Sequence, residues 1–215
     1  MTNLAGSAPR AQKITSMRLA DAVAAALDEE PDRVRLQLKT IRAVGGITFT
    51  GYGRGAAEMT ADDASRLVIA VAGSLAAKHA AEALAAFRDL KPLGPKGRGL
   101  TLEHFLSGHI GDLAKGVVPP SHSGNVPYRV YDLAAEEALK LIWFAGRSSR
   151  VSLPRAAVVR WFRTDGKSDA AAFASEPMPF PLVTESRLAR RYPRGGLLRS
   201  VVVTARALRD IADAL

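Results

Sequence analysis

The sequence predicts an α+β fold, with a winged helix-turn-helix at the front, then further helices, then a mainly antiparallel sheet. Three observations predict it. Residues 31–44 repeat apolar side chains every three or four positions, the period of a helix with one buried face. A glycine-broken stretch, ITFTGYGRGAAEM, follows at once, as a hairpin between two helices would. Beyond residue 127 the text changes to short apolar and alternating runs, which is how strands read.

Each element has its own signal. Met17 to Leu27 forms a short helix, with Ser16 as N-cap and Leu19, Val23 and Leu27 along one face. Pro31 opens the second helix at the position where its missing N–H costs nothing, and Gly45-Gly46 stops it, one glycine in the left-handed conformation. Ile47 to Thr50 and Ala56 to Met59 are expected as the two strands of the wing. Thr60 caps a third helix, with Asp62 and Asp63 in its first turn. A fourth helix is expected from Ala77 to Leu90, a loop from Lys91 to Leu100, and a fifth helix from Thr101 to Leu113. Strands are expected at Tyr128–Leu133, Leu139–Phe144, Ala156–Arg163 and Leu197–Thr204, an extended loop at SEPMPFPLVTE, and a closing helix at Ala205–Leu215. The organisation that follows is a disordered arm over 1–15, a winged-helix region with additional helices over 16–116, a linker over 117–127, and an α+β region over 128–215 suited to dimerisation.

Composition bounds the chemistry. The chain has 215 residues, 47% hydrophobic and 24% charged, ordinary values for a globular protein with a real core. It has no cysteine, which excludes disulfides, iron–sulfur clusters, thiolate zinc sites and cysteine nucleophiles. A cytoplasmic location fits that usage. No apolar run approaches the roughly 20 residues of a membrane span, so no membrane partner is expected. Thirty Lys and Arg stand against 21 Asp and Glu, a net charge of +9, and a surface of that sign attracts polyanions such as DNA. Codon usage in a GC-rich genome also favours arginine, so charge by itself discriminates weakly.

The second helix carries the chemistry. Val34, Leu38 and Ile41 recur at i, i+4, i+7 and face the core; Arg35, Lys39 and Arg42 recur one residue round and form a basic ridge. Gln37 and Thr40 are placed on the outer side. A major groove about 12 Å wide accepts such a helix; Arg reads guanine bidentately, Gln reads adenine, and Lys and Thr hold phosphates or bases. Arg33 sits in the first turn, where free N–H groups suit a phosphate. In the wing, glycines let the backbone approach the sugar-phosphate edge, Arg54 enters the minor groove or grips a phosphate, and Tyr52 packs on a sugar. The expected partner is double-stranded DNA, bound by a homodimer. No effector ligand can be read from the sequence.

Catalytic and metal signatures are missing from the text. His104 and His109 are five residues apart, on different helix faces; His122 lies in the linker and His79 at a helix start. GYGRG and GPKGRG lack the Lys-Ser/Thr ending of a phosphate-binding loop. The expectation is a non-enzyme with no cofactor and no metal. A second basic set, Arg147, Arg150, Arg155, Arg160, Arg163, Arg187, Arg190, Arg191 and Arg194, lies among Trp143, Trp161 and Tyr192. Tryptophans in the core and arginines on a solvated sheet face are the simpler reading of that set, against a nucleic-acid platform.

The segment GYGRGAAEMTADDASRLVIAVAGS, with an echo at VVVTARALRDIADAL, resembles prophage and gene-transfer-element proteins of Alphaproteobacteria that carry an N-terminal winged-helix region. The resemblance covers about a quarter of the chain. It implies a prophage-type DNA-binding transcription regulator and brings no catalytic residues. The alternative is a phage structural or DNA-packaging accessory protein that forms a higher oligomer.

Overall fold

Thr15, one residue before the expected cap, opens the first helix: its Oγ1 accepts from the Arg18 N–H at 3.5 Å. In the computed structural model, which describes residues 14–51, 56–116, 137–145, 155–162, 168–177, 184–191 and 197–215, helix α1 spans Ser16–Leu27. Asp28, in the left-handed conformation at φ 52°, closes it, and Pro31 starts α2, Pro31–Ala43, after a turn of Asp28–Glu30. At the far end of α2, the Gly45 N–H donates to the Arg42 carbonyl at 3.0 Å and the Gly46 N–H to the Ile41 carbonyl at 2.8 Å. That pairing needs a left-handed residue, and Gly45 supplies it at φ 72°.

The wing strands are not formed. Residues 47–50 and 56–59 run without strand pairing, while the hairpin tip, with Tyr52 and Arg54, lies outside the described residues. The local hydrogen bonds give the physical reason. The Thr48 N–H, which a ladder would use, donates to Asp63 Oδ1 at 2.9 Å, and the Met59 N–H donates to the Ile14 carbonyl at 3.0 Å. Ile47 and Met59 are buried in the helical core, which fixes the segment as a packed connection.

Thr60 does cap the next helix. Its Oγ1 accepts from the Asp63 N–H while the Asp63 carboxylate accepts from the Thr60 N–H at 3.1 Å, a reciprocal box that opens α3, Ala61–Gly73. The expected fourth helix is divided into a 3-10 turn, Ala77–His79, and α4, Ala80–Phe87. The loop that follows contains a two-residue strand β1, Lys91–Pro92, and a 3-10 turn, Pro95–Gly97; α5 spans Leu102–Ala114. The expected linker and the strand expected at 128–133 lie outside the described residues.

The sheet comprises β1, β2 (Glu137–Ala145), β3 (Arg155–Phe162), β4 (Ser168–Ala174) and β5 (Leu197–Thr204), all pairs antiparallel, in the order β1-β4-β3-β2-β5. Two elements have no clear sequence signal. β4 is SDAAAFA, of little strand propensity, and is formed because it pairs along β3 from Ala156 to Phe162; α6, Glu185–Arg191, begins at the last residue of the expected extended loop and runs through a stretch for which no element is expected. The closing helix α7 is Ala205–Asp213, capped by Thr204, whose Oγ1 accepts from the Ala207 N–H at 3.2 Å.

Strand alternation sorts the sheet into two faces. Leu139, Leu141, Ala157, Val159, Phe173 and Val203 point into one core shared with Leu19, Leu38, Leu67, Phe87, Leu106 and Ile211 of the helices. Helices from 16–116 and strands from 137–215 are therefore joined by a single apolar interior, each fully buried Leu or Phe contributing roughly 1.5–3 kcal/mol. Ile142, Ala156, Val158 and Ala172 point the other way, where Leu188 of α6 covers them. The arrangement is a helical layer, a sheet, and one short helix behind it.

Candidate nucleic-acid interface

The helical period places the side chains of α2 in three arcs. Val34, Leu38 and Ile41 are buried, as their spacing predicts. Gln37 is a correction: expected on the outer side, it is 0% exposed, and its Nε2 donates to Ser74 Oγ at 2.8 Å. Its spacing holds the signal, since Gln37 is three residues after Val34 and four before Ile41, on the apolar side. A buried amide tied to the end of α3 has no route to a base edge.

Two of the three cations of the basic ridge are engaged by neighbouring side chains. Arg35 Nε donates to Asp21 of α1 at 2.9 Å and its Nη1 to Asp32 at 3.0 Å; the Asp21 bond and charge hold its pKa above the ordinary arginine value. Arg42 Nη2 donates to Ser16 Oγ at 2.6 Å, and its guanidinium lies 4.3 Å from the centre of the Phe49 ring. Arg33 Nη1 donates to Glu29 at 2.7 Å, and its Nη2 to the Ser74 and Leu75 carbonyls at 3.3 and 3.4 Å. Arg33 and Arg42 thus serve as struts, binding α2 to the α3–α4 connection and to α1. The Thr40 hydroxyl donates back to the Leu36 carbonyl at 2.9 Å. Lys39 is exposed, and Leu36, 53% exposed, stands beside it on the open arc.

The charge of the molecule is elsewhere. Residues 16–44 hold five Lys and Arg and five Asp and Glu. Residues 1–136 hold 16 against 14, whereas residues 137–215 hold 14 against 7. The excess that suggests a polyanion partner belongs to the sheet region. As expected for a core role, Trp143 and Trp161 pack on the helix-facing core: Trp143 edge-on to Phe87 at 5.9 Å, Trp161 against Phe105 at 5.5 Å. Arg160 points to the opposite face, 3.6 Å from Glu137.

Of the four histidines, His122 lies outside the described residues, and the other three do not converge. His79 Nδ1 pairs with Glu82 at 3.0 Å, His104 Nδ1 with the Thr101 hydroxyl at 3.0 Å, and His109 lies among Asp112 and Arg209; burial, then Arg209, lower the His109 pKa against the opposing pull of Asp112. Among the described residues no group of three His, Asp or Glu side chains could hold a metal ion. Nor is any described helix long and apolar enough to cross a membrane. A shallow cavity of about 300 Å³ is lined by Lys91, Pro92, Leu93, Ala174, Ser175, Glu176 and Pro177. The buried carboxylate Glu103 is structural: it bonds Arg66 Nε at 2.6 Å and sits 2.8 Å from Arg88 Nε, in a charge contact without hydrogen-bond alignment. No family model, no curated protein and no solved structure matches the chain.

Proposed function

We propose that the chain is a DNA-binding protein of the prophage transcription-regulator type, working in the cytoplasm as a homodimer, with the open arc of α2 laid against duplex DNA. The observation that carries the reading is the α1–α2 pair. Two helices meet at a three-residue turn, and the second leaves Lys39 and Thr40 on an uncovered arc with Arg35 held beside them. An arginine engaged by two carboxylates has fewer N–H groups to offer a phosphate, so Lys39 carries the largest share of the contact. Gln37 is dropped from the contact set, and Arg33 and Arg42 act by holding the helix in place.

Lys39 is also the clean place to test the reading, because its side chain makes no hydrogen bond or ion pair among the described residues, whereas Arg35 and Arg42 anchor α1. Binding of a random-sequence duplex should weaken with salt at about 0.9 log units per log unit for each phosphate engaged. Lys39→Glu should weaken binding and reduce that slope by about 1. Binding that ignores salt, or a Lys39→Glu protein that binds as well as the wild type, overturns the assignment to α2. Sedimentation should give a dimer; an octamer or larger assembly turns the reading to a DNA-packaging accessory.

A further inference from the structure

The register of the sheet brings together three side chains that the helix pair does not involve. Trp143 in β2 is the direct partner of Arg155 in β3 on one side and of Arg199 in β5 on the other. Direct partners share a face, so the indole is flanked by two guanidinium-bearing side chains on the helix-facing side, at one end of the sheet. The outer two strands of the three are about 10 Å apart.

This row differs from the other cations of the sheet. On the opposite face Lys140 is 2.7 Å from Glu185 and 3.4 Å from Glu137, and Arg160 is 3.6 Å from Glu137. Lys96 at the opposite end pairs with Asp169. Arg155 and Arg199 have no carboxylate partner among the described residues, and Arg199 Nε is buried with no acceptor. A guanidinium without a carboxylate partner keeps its outer N–H fork for a phosphate oxygen. The backbone of the row is fixed: the Arg155 N–H donates to Ser175 Oγ and the Ser175 N–H donates to the Arg155 carbonyl, both at 3.0 Å. Trp143 packs against Phe87 and is partly exposed. Ser175 also lines the shallow cavity with Lys91, and Glu176 there brings the opposing charge.

We propose that Arg155, Trp143 and Arg199 form a binding site for a single nucleic-acid strand, the two arginines taking successive phosphates and the indole edge packing on the sugar or base between them. Cations interleaved with an aromatic ring suit a strand whose bases are free to stack, and the site lies in the region that holds the molecule's charge excess. It shares a ligand class with the α2 reading but none of its residues.

The test uses the full chain and a labelled oligo(dT) of about 20 nucleotides, longer than the sites single-strand binders cover. The wild type should bind it with quenching of tryptophan emission that Trp143→Phe removes. Arg155→Gln/Arg199→Gln should lower affinity about tenfold and reduce the salt slope by roughly 1.4, two phosphates at about 0.7 each. Arg155→Lys/Arg199→Lys should recover part of the affinity, and circular dichroism melts should report all variants folded. An Arg-to-Gln pair that binds oligo(dT) like the wild type overturns the site. So does inorganic phosphate that displaces the oligonucleotide more effectively than chloride at equal ionic strength and quenches Trp143 by itself, since that marks a free-anion site. Loss of duplex binding in Lys39→Glu with oligo(dT) binding intact leaves both sites standing. Loss of oligo(dT) binding in the Arg pair, with duplex binding indifferent to Lys39→Glu, sinks the helix reading and keeps this one.

Discussion

The helical layer and the sheet region differ in their balance of charge. In the helical layer several arginines act as fasteners: Arg33 to Glu29 and two carbonyls, Arg35 to Asp21 and Asp32, Arg66 and Arg88 to the buried Glu103. In the sheet region basic residues outnumber acidic ones two to one, and Arg155 and Arg199 stand beside Trp143 without a carboxylate partner among the described residues. A basic ridge on a helical wheel is therefore a poor guide to an electropositive surface. Carboxylates supplied by neighbouring elements decide whether the charge is free, and no single-helix pattern contains them.

The comparison breaks most visibly at the seam between the two regions. Phe173 in β4 is fully buried against Phe105 of α5, with ring centres 5.3 Å apart. Phe173→Ala should cost about 3–5 kcal/mol in urea unfolding, in a single transition, because sheet and helices share one core. Two separate transitions would show that the helical layer stands without the sheet. Next in size is Glu103→Ala, expected to cost about 3 kcal/mol by leaving Arg66 and Arg88 without their shared anion, with Glu103→Gln losing less. Equal stability of Glu103→Ala and wild type would mean that those cations are already satisfied by water.

A smaller effect is expected where α5 meets α7. Burial beside Arg209 keeps the His109 pKa below its ordinary 6.5, so the folded state prefers the neutral ring. The stabilisation is complete above that value and is lost as pH falls through it towards the folded-state pKa. Melting temperatures taken between about pH 8 and pH 5 should fall more for the wild type than for His109→Gln. Parallel curves would remove His109 from the acid response.

The smallest effect belongs to the back of the sheet. Burial opposes the charge on both members of the Lys140–Glu185 pair, but their contact outweighs it: the Lys140 pKa is raised, and Glu185, helped by its own backbone N–H and Ser200, is lowered. The contribution is present between the ordinary 4.5 of Glu and 10.5 of Lys, lost in acid as Glu185 protonates below that range and in alkali as Lys140 deprotonates above it. A double-mutant cycle with Lys140→Met and Glu185→Gln should give no more than about 1 kcal/mol of coupling at neutral pH, fading at both ends. Coupling that persists in strong acid would point to packing rather than charge.

Much of the fold was legible because it rests on local signals. Pro31, the Gly45-Gly46 stop, the Thr60–Asp63 box and the β5 run LLRSVVVT each state their structure within a few residues. β4 was not legible, because SDAAAFA has almost no strand preference and acquires its conformation from β3. The wing strands were over-read, because the alternation of Ile47 to Thr50 resembles a strand while the Thr48 N–H is taken by Asp63. At the candidate interface the exposure of Lys39 could be read from spacing. The burial of Gln37 depended on Ser74, 37 residues away.

The sequence by itself determined the α+β class, most helix and strand positions, the packing of the tryptophans against the core, and the net charge of +9, because these follow from periodicity, capping chemistry and composition. Tertiary structure alone decided which cations are free and which are fastened. It set Asp21 against Arg35, Glu103 between Arg66 and Arg88, and Trp143 between Arg155 and Arg199. The physical reason is that electrostatic neutralisation acts over a few ångströms in space, between residues that the chain separates by tens of positions.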